Sequence, residues 1–296
     1  MLVGCVGTAS LDTLLFCEQL PTGGHDTVTV LDDIVITIGG KGLVSALAMH
    51  DAGVAALPFA GVGTNSTIAP MLPSDLDSRF VLPVQASDDR IWLIVSGAHE
   101  VATLVAVEAF RSRDTPAHAS AAEAFVNEID VVYISVDNPH VVRTVSQLAC
   151  ARDLPIVTNL SLPLLQLAQR EAGDLLPQLI EQSNVVLCNE RESQLTLEML
   201  QVRDWHELKS SQLREVIVTK GSEGGRWSER PFTGWTRYPA VRRGPTRCVV
   251  GAGDTFNGAY IAARFGSGAE TAWSCAQGAD AAARKVTYRA SSLPAT

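Results

Sequence analysis

Short apolar runs alternate with segments of helical periodicity along the whole chain. Leu2–Val6 reads as a buried first strand ended by the turn formers Gly7-Thr8. Val131–Ile134, Ile156–Val157, Val185–Leu187 and Val216–Val218 are further strand candidates, each short, rich in β-branched residues and almost free of polar positions. Between them, Val141, Val142, Val145, Leu148 and Ala149 recur at helical spacing until Asp153-Leu154-Pro155. A second helix is expected from Gly42 to Gly53, with Leu43, Leu47, Val44 and Ala48 sharing one face. Strand–helix–strand alternation predicts an α/β fold with a mostly parallel central sheet flanked by helices. Ligands of such sheets gather at the carboxyl ends of the strands.

Two stretches break this rhythm. Residues 25–38 and 91–107 carry partly alternating β-branched runs, and Ser96-Gly97 in the second suggests a hairpin turn. Together they are expected to form a small second sheet that projects as a lid. Residues 64–90, rich in Pro, Ser and Asp, read as an irregular connection.

Twenty-three Lys+Arg against 32 Asp+Glu give a net charge of −9 over 296 residues. This argues against a nucleic-acid-binding surface, which draws on clustered cations, but leaves room for a basic pocket around a small phosphorylated ligand. The six cysteines at 5, 17, 150, 188, 248 and 275 form no CxxC pair and read as buried thiols of a reducing compartment. With Asp12 in the first apolar stretch and no apolar run of membrane length, a cytoplasmic protein is expected. His206, beside Trp205, is expected on a polar, exposed helix, and the scattered histidines offer no metal cluster.

Four clusters carry candidate chemistry. In Gly251-Ala252-Gly253-Asp254-Thr255-Phe256-Asn257-Gly258-Ala259, two glycines open a helix whose free N–H groups attract anions, with an acid in the first turn. Alone, it reads more plainly as a glycine-rich turn with a routine N-terminal acid. Gly39-Gly40-Lys41-Gly42 also leads into a helix but lacks the spacing of the usual NTPase phosphate loop, and a tight turn is the plainer reading. Val218–Gly225 could border a nucleotide or form a hairpin turn. Asn189-Glu190-Arg191-Glu192 follows a strand; it could organise a hydrated Mg²⁺ or simply start a helix.

Order and context join these clusters. Along nearly its whole length the chain resembles the ribokinase-like (phosphofructokinase-B) carbohydrate kinase family. GGKG and GAGDTF match its two best-known patterns, Asn189–Glu192 resembles its NxxE element, and Thr219–Gly224 its TxGxxG turn. Gly7–Asp12 resembles its first-strand turn, and Val286–Pro294 its closing segment. The resemblance implies one ribokinase-like kinase domain over residues 1–296, with a lid from about 12–38 and 86–108. It implies an ATP-dependent phosphotransferase acting on a hydroxymethyl group of a sugar or sugar derivative. Asp254 would be the general base, and the 251–254 backbone, from Gly251 through the amides of Ala252, Gly253 and Asp254, the anion hole. Asp12, Gly39, Gly40, Lys41 and Asp137 would face the acceptor. Asn189, Thr219, Gly221, Gly224 and Asn257 would lie along ATP, and Glu192 would organise Mg²⁺ through water.

The departures shape the expectation. Val44 stands where the family commonly has an asparagine on sugar hydroxyls, and Asn65 and Asn159 replace frequent aspartates. Cys248-Val249-Val250 stands for a DTT whose aspartate helps hold an activating monovalent cation, which argues against potassium activation. The alternatives are a nucleoside kinase of the same fold and a non-catalytic sugar- or nucleotide-binding regulator. Trp92 is expected in the lid, and the β-rich segments make a homodimer through the lid plausible; no nucleic-acid or membrane partner is expected.

Overall fold

The computed structural model describes residues 1–20, 34–97, 101–106, 116–135, 139–162, 165, 174–208 and 210–291. Asp137 lies outside these residues. The central sheet has nine strands: β1 (Leu2–Val6), β4 (Ala55–Gly63), β5 (Val81–Val84), β8 (Val131–Ile134), β9 (Ile156–Asn159), β10 (Val185–Asn189), β11 (Glu215–Thr219), β12 (Gly225–Glu229) and β13 (Thr236–Tyr238). They lie in the order β13-β12-β11-β10-β9-β8-β1-β4-β5. From β11 to β5 every pairing is parallel, whereas β12 and β13 are antiparallel additions. The parallel strands therefore all present their carboxyl ends at one edge of the sheet. The chain order reverses between β1 and β8, which makes the crevice above that pair a ligand position in such folds.

Strict alternation along the buried strands explains how both faces are covered. Val6, Val132, Ile134, Val186 and Val216 point to one side, against α2 (Pro116–Val126), α3 (Pro139–Cys150) and α4 (Leu175–Gln182). Val3, Cys5, Val131, Tyr133, Val185 and Ile217 point to the other, against α1 (Lys41–Asp51), α6 (Ala252–Ile261) and α7 (Thr271–Lys285). The second group of helices frames the site.

A separate four-stranded sheet has the order β3-β2-β6-β7, with β2 at Ser10–Cys17, β3 at Val35–Gly39, β6 at Asp89–Ser96 and β7 at Val101–Ala106. β2 and β6 run parallel, and the other pairings are antiparallel. The expected hairpin is present, with Val95 opposite Val101. One face buries Leu14, Phe16, Leu93 and Val95 over Cys248 and Val250. On the opposite face Ile36, Thr13, Trp92 and Leu104 form one cross-strand row, and Ile36 and Leu104 are 58% and 61% exposed. Residues 21–33, which take in 25–33 of the first expected β-rich segment, lie outside the described residues.

Two expectations are corrected. Residues 64–90 are not wholly irregular: Val81–Val84 form β5, an edge strand beside β4, where Pro83 is tolerated because an edge has unpaired backbone positions. Trp205 does not belong to an exposed helix. It sits in a short 3₁₀ turn with 1% exposure, its indole N–H donating to Ser193 Oγ at 3.0 Å, so its apolar bulk decides its place rather than its polar neighbours. The thiol reading holds for five cysteines, while Cys150 is exposed at the end of α3.

Candidate active site

Asp254 occupies the third residue of α6. Its side chain is 12% exposed, and its Oδ1 accepts from Lys41 Nζ at 3.2 Å. Lys41 begins α1, so the two glycine clusters, far apart in sequence, meet through this ion pair. The Lys41 side chain keeps 30% exposure. Burial pulls its pKa down, but the carboxylates of Asp254 and Glu192 outweigh that pull, and the ammonium holds its proton more tightly than an ordinary lysine. α1 and α6 are further joined by Ser45, whose hydroxyl lies 3.2 Å from the Asp254 carbonyl oxygen and from Tyr133 Oη.

The start of α6 supplies the electrostatics. Gly251 is its N-cap at φ 76°, a left-handed conformation that favours glycine, and a Cβ there would meet the Ser291 carbonyl oxygen at 1.8 Å. The first amides of a helix have no intrahelical acceptor. Here the Ala252 N–H donates to the Val249 carbonyl at 3.2 Å. The N–H groups of Gly253 and Asp254 have no backbone acceptor among the described residues. Of the three amides expected to bind an anion, these two remain open. A Cβ at Gly253 would meet nothing within 4 Å, so the space above it is free for a ligand.

That space continues into a cavity of about 620 Å³ lined by Thr219, Gly221, Gly224, Ala252, Gly253 and Phe256, with Arg242 and Arg243 on its rim. The hairpin reading of Val218–Gly225 is borne out. β11 turns back into β12 there, and the turn itself lines the cavity. The chain is acidic overall, yet two arginines border this cavity; Arg243 is ion-paired with Asp280, through Nε at 2.6 Å.

Asp12 lies on β2, 4% exposed. Its Oδ1 accepts from Ser10 Oγ and its Oδ2 from Ser291 Oγ, both at 2.7 Å. Burial raises its pKa above the ordinary value, the two seryl hydrogen bonds work against that rise, and the Asp254 charge adds to it. Gly39 of β3 lies so close that a Cβ would meet the Asp12 carboxylate at about 2.0 Å. Gly40 is the N-cap of α1. Asp12, Gly39, Gly40, Lys41 and Asp254 are therefore joined into one neighbourhood.

The remaining candidates divide. Asn189 and Glu192 form a reciprocal capping box at the start of α5 (Glu190–Met199). Glu192 is buried, with Oε2 accepting from Asn189 N at 2.8 Å and Oε1 from Leu162 N at 2.9 Å. With both oxygens engaged in this way, Glu192 serves as a helix cap, and any contact it made to Mg²⁺ would run through water. Mg²⁺ keeps several waters and binds largely through substrate phosphates, so one hard oxygen donor suffices. No group of three or more His, Cys, Asp or Glu among the described residues is placed to hold a metal ion. Asn257 donates to Tyr133 Oη at 3.2 Å inside the protein and does not line the cavity. Asn159 also reaches the Tyr133 hydroxyl, while Asn65 is exposed. Ser10 and Ser291 fall within Gly7–Asp12 and Val286–Pro294, the segments the resemblance singled out, but their shared hold on Asp12 was not legible, and no motif marked Lys285.

Residues 2–296 match the pfkB family of carbohydrate kinases. A comparison with curated proteins returns no match. Among solved structures, the chain is similar to a Burkholderia thailandensis nucleoside kinase in complex with inosine, with TM-score 0.81 and 19% identity over 98% of this chain and 91% of that one. It is similar to a Methanocaldococcus jannaschii nucleoside kinase, an archaeal member of the ribokinase family, with TM-score 0.79 and 18% identity over 98% and 93%. It is also similar to a Cryptococcus neoformans var. grubii ribokinase in complex with ADP, with TM-score 0.79 and 18% identity over 98% and 94%. At these identities the likeness establishes the ribokinase-like fold. With the family match spanning residues 2–296, the chain belongs to the pfkB family of carbohydrate kinases.

Proposed function

We propose that this chain transfers the γ-phosphoryl group of MgATP to a hydroxymethyl group of a sugar or sugar derivative. The observation that carries the reading is the start of α6. There a carboxylate in reach of a cleft lies within one helical turn of two open amides bordering an arginine-rimmed cavity. In this reading ATP lies in the cavity along Thr219, Gly221 and Gly224, with its transferring group at the Gly253 and Asp254 amides. The acceptor lies toward Asp12, Gly39, Gly40 and Lys41. The acceptor hydroxyl gives its proton to Asp254 as its oxygen forms a bond to the γ-phosphorus, and the bond from that phosphorus to the ADP oxygen breaks. ADP leaves with the electron pair. Catalysis here is mostly positioning and charge stabilisation. Mg²⁺, when bound, offsets the triphosphate charge, with Glu192 as its water-mediated contact.

Lys41 holds the Asp254 carboxylate in position until an acceptor arrives. The small sheet serves as a lid that excludes water from the transferring group, limiting hydrolysis. Its outer face, with Ile36, Trp92 and Leu104 in one row, is offered to a second copy of the chain. A nucleoside acceptor presents the same kind of hydroxymethyl group, and the nucleoside kinases among the structural neighbours keep that alternative in the test.

The test is ADP release from MgATP against ketoses, aldoses, sugar acids and nucleosides, beside Asp254→Asn. Acceptor-dependent release that falls by about 10²–10⁴-fold in the variant supports the reading. Equal rates in both proteins would remove Asp254 as the base. Absence of both turnover and MgATP binding would favour a non-catalytic regulator.

A further inference from the structure

Lys285 is the last residue of α7 and is completely buried. A buried ammonium is costly unless its donors are satisfied. Its Nζ donates to the Cys248 carbonyl at 3.2 Å and to the Val250 carbonyl. The Val249 carbonyl between them turns the other way and accepts from the Ala252 N–H. Alternate carbonyls of one short loop thus split into two groups: two hold the ammonium, and one fixes the first amide of α6. The next residue in the chain is Gly251, the N-cap of α6, two positions before the first open amide. The loop is also tied to the residue after Lys285, because the Val286 carbonyl accepts from the N–H groups of Arg247 and Cys248. Asp12 and Asp254 lie close enough for their charges to favour the protonated form of Lys285, against the burial that draws its pKa down to about 8.

Two converging carbonyls just before a helix start put negative dipole ends beneath a site meant for an anion. Some cation must offset them, and here it comes from the chain. We propose that Lys285 is a tethered monovalent cation. Its ammonium fixes the 248–250 loop, thereby orients the Gly253 and Asp254 amides, and takes the place that a free alkali-metal ion would need. It is a positioning residue for phosphoryl transfer, and the proposal rests on the reading of the preceding section. The residues do not fit a free potassium ion as well: Cys248 offers no carboxylate, and both loop carbonyls that could coordinate one already hold the ammonium.

The experiment compares the wild-type protein, Lys285→Ala and Lys285→Met in K⁺, Na⁺, NH₄⁺ and tetramethylammonium salts at equal ionic strength. Thermal unfolding and acceptor-dependent ADP release are both read. The wild type is expected to give the same midpoint and turnover in every salt. Lys285→Met, similar in bulk but uncharged, is expected to lose about 10²-fold in kcat with a smaller change in the KM for MgATP. Lys285→Ala opens a cation-sized space, and K⁺ or NH₄⁺ should raise its midpoint and its turnover relative to tetramethylammonium. A purely structural lysine would show no such ion selectivity. The proposal is overturned by wild-type activation with K⁺, by full kcat in Lys285→Met, or by equal behaviour of Lys285→Ala in all four salts. If Lys285→Ala does not fold in any salt, the wild-type and Lys285→Met arms still decide. The unfolding arm needs no turnover, so a failure of the kinase reading would leave ion-selective stabilisation of Lys285→Ala visible.

Discussion

Replacing Gly253 with alanine separates fold from function at the start of α6. Gly253 is the second residue of the helix, and its backbone is not left-handed. Glycine inside a helix is roughly 0.5–1 kcal/mol less favourable than alanine. A Cβ at this position meets nothing within 4 Å, so the new methyl group brings no clash. Gly253→Ala is therefore expected to stabilise the protein by up to about 1 kcal/mol, a rise of roughly 1–3 °C in the unfolding midpoint. In the proposed reaction the same methyl group projects into the space through which the transferring phosphoryl group approaches the amides. A displacement of about 1 Å there is enough to cost about 10²-fold in kcat/KM. Gly251→Ala is the counterpart. Its left-handed backbone costs about 1–2 kcal/mol for any residue with a Cβ. The Ser291 carbonyl at 1.8 Å would also have to move, at a further cost of about 1–3 kcal/mol. Differential scanning calorimetry and steady-state ADP release on both variants read the two effects. A Gly253→Ala protein that is more stable and turns over at the wild-type rate would refute the anion-site argument, because no ligand would then need that space.

Three further outcomes follow from the same geometry. Ser291→Ala removes one of the two hydroxyls on buried Asp12 and should destabilise by about 1.5–3 kcal/mol in urea titrations. Because the folded pKa of Asp12 lies above its ordinary 3.8, the native state binds that proton more tightly, so stability falls as pH rises through that window; the variant should fall more steeply. Turnover should decline as pH climbs past about 8, where Lys285 loses its charge in the company of Asp12, Asp254 and the Cys248 thiol. The guanidinium of Lys285→Arg stays protonated there, so its profile should decline later, and identical profile shapes would disprove the assignment. Ile36→Lys with Leu104→Lys, placed on the outer face of the small sheet, should shift a dimer to monomer in light scattering without loss of fold, and a wild-type monomer at all concentrations would remove the dimer.

Hydrophobic periodicity carried most of the fold, because strands buried on both faces have no polar positions to confuse the reading. Val131–Ile134 was legible to the residue for this reason. It failed where a short strand lies at an edge, as in Val81–Val84, whose sequence also carries a proline. Trp205 was misread because its flanking residues are polar, while its own ring fills a hole between α5 and the sheet. At the site, motifs gave the backbone elements: the glycine turns and Asp254 were visible as patterns of adjacent residues. Contacts across the fold were not visible. Nothing in the neighbours of Lys41 indicated that it would reach Asp254, 213 positions away. Nor did the neighbours of Ser291 point to Asp12, 279 positions away.

The unusual Cys248-Val249-Val250 becomes intelligible once Lys285 is considered with it. The Cys248 and Val250 side chains lie beneath Leu14, Phe16, Leu93 and Val95 of the small sheet. A carboxylate at 248 would enter an apolar cluster, and its desolvation would have to be offset by a cation close by. Lys285 supplies a cation to the loop's main chain instead, which leaves the side chains free to be apolar and to pack. The two features therefore work as a unit: carbonyls of the loop face the lysine, and side chains of the same residues face the sheet. Because the sheet rests on the loop that leads into α6, the lid and the phosphoryl-transfer site proposed above meet through one packed apolar contact and not through a chain of charges.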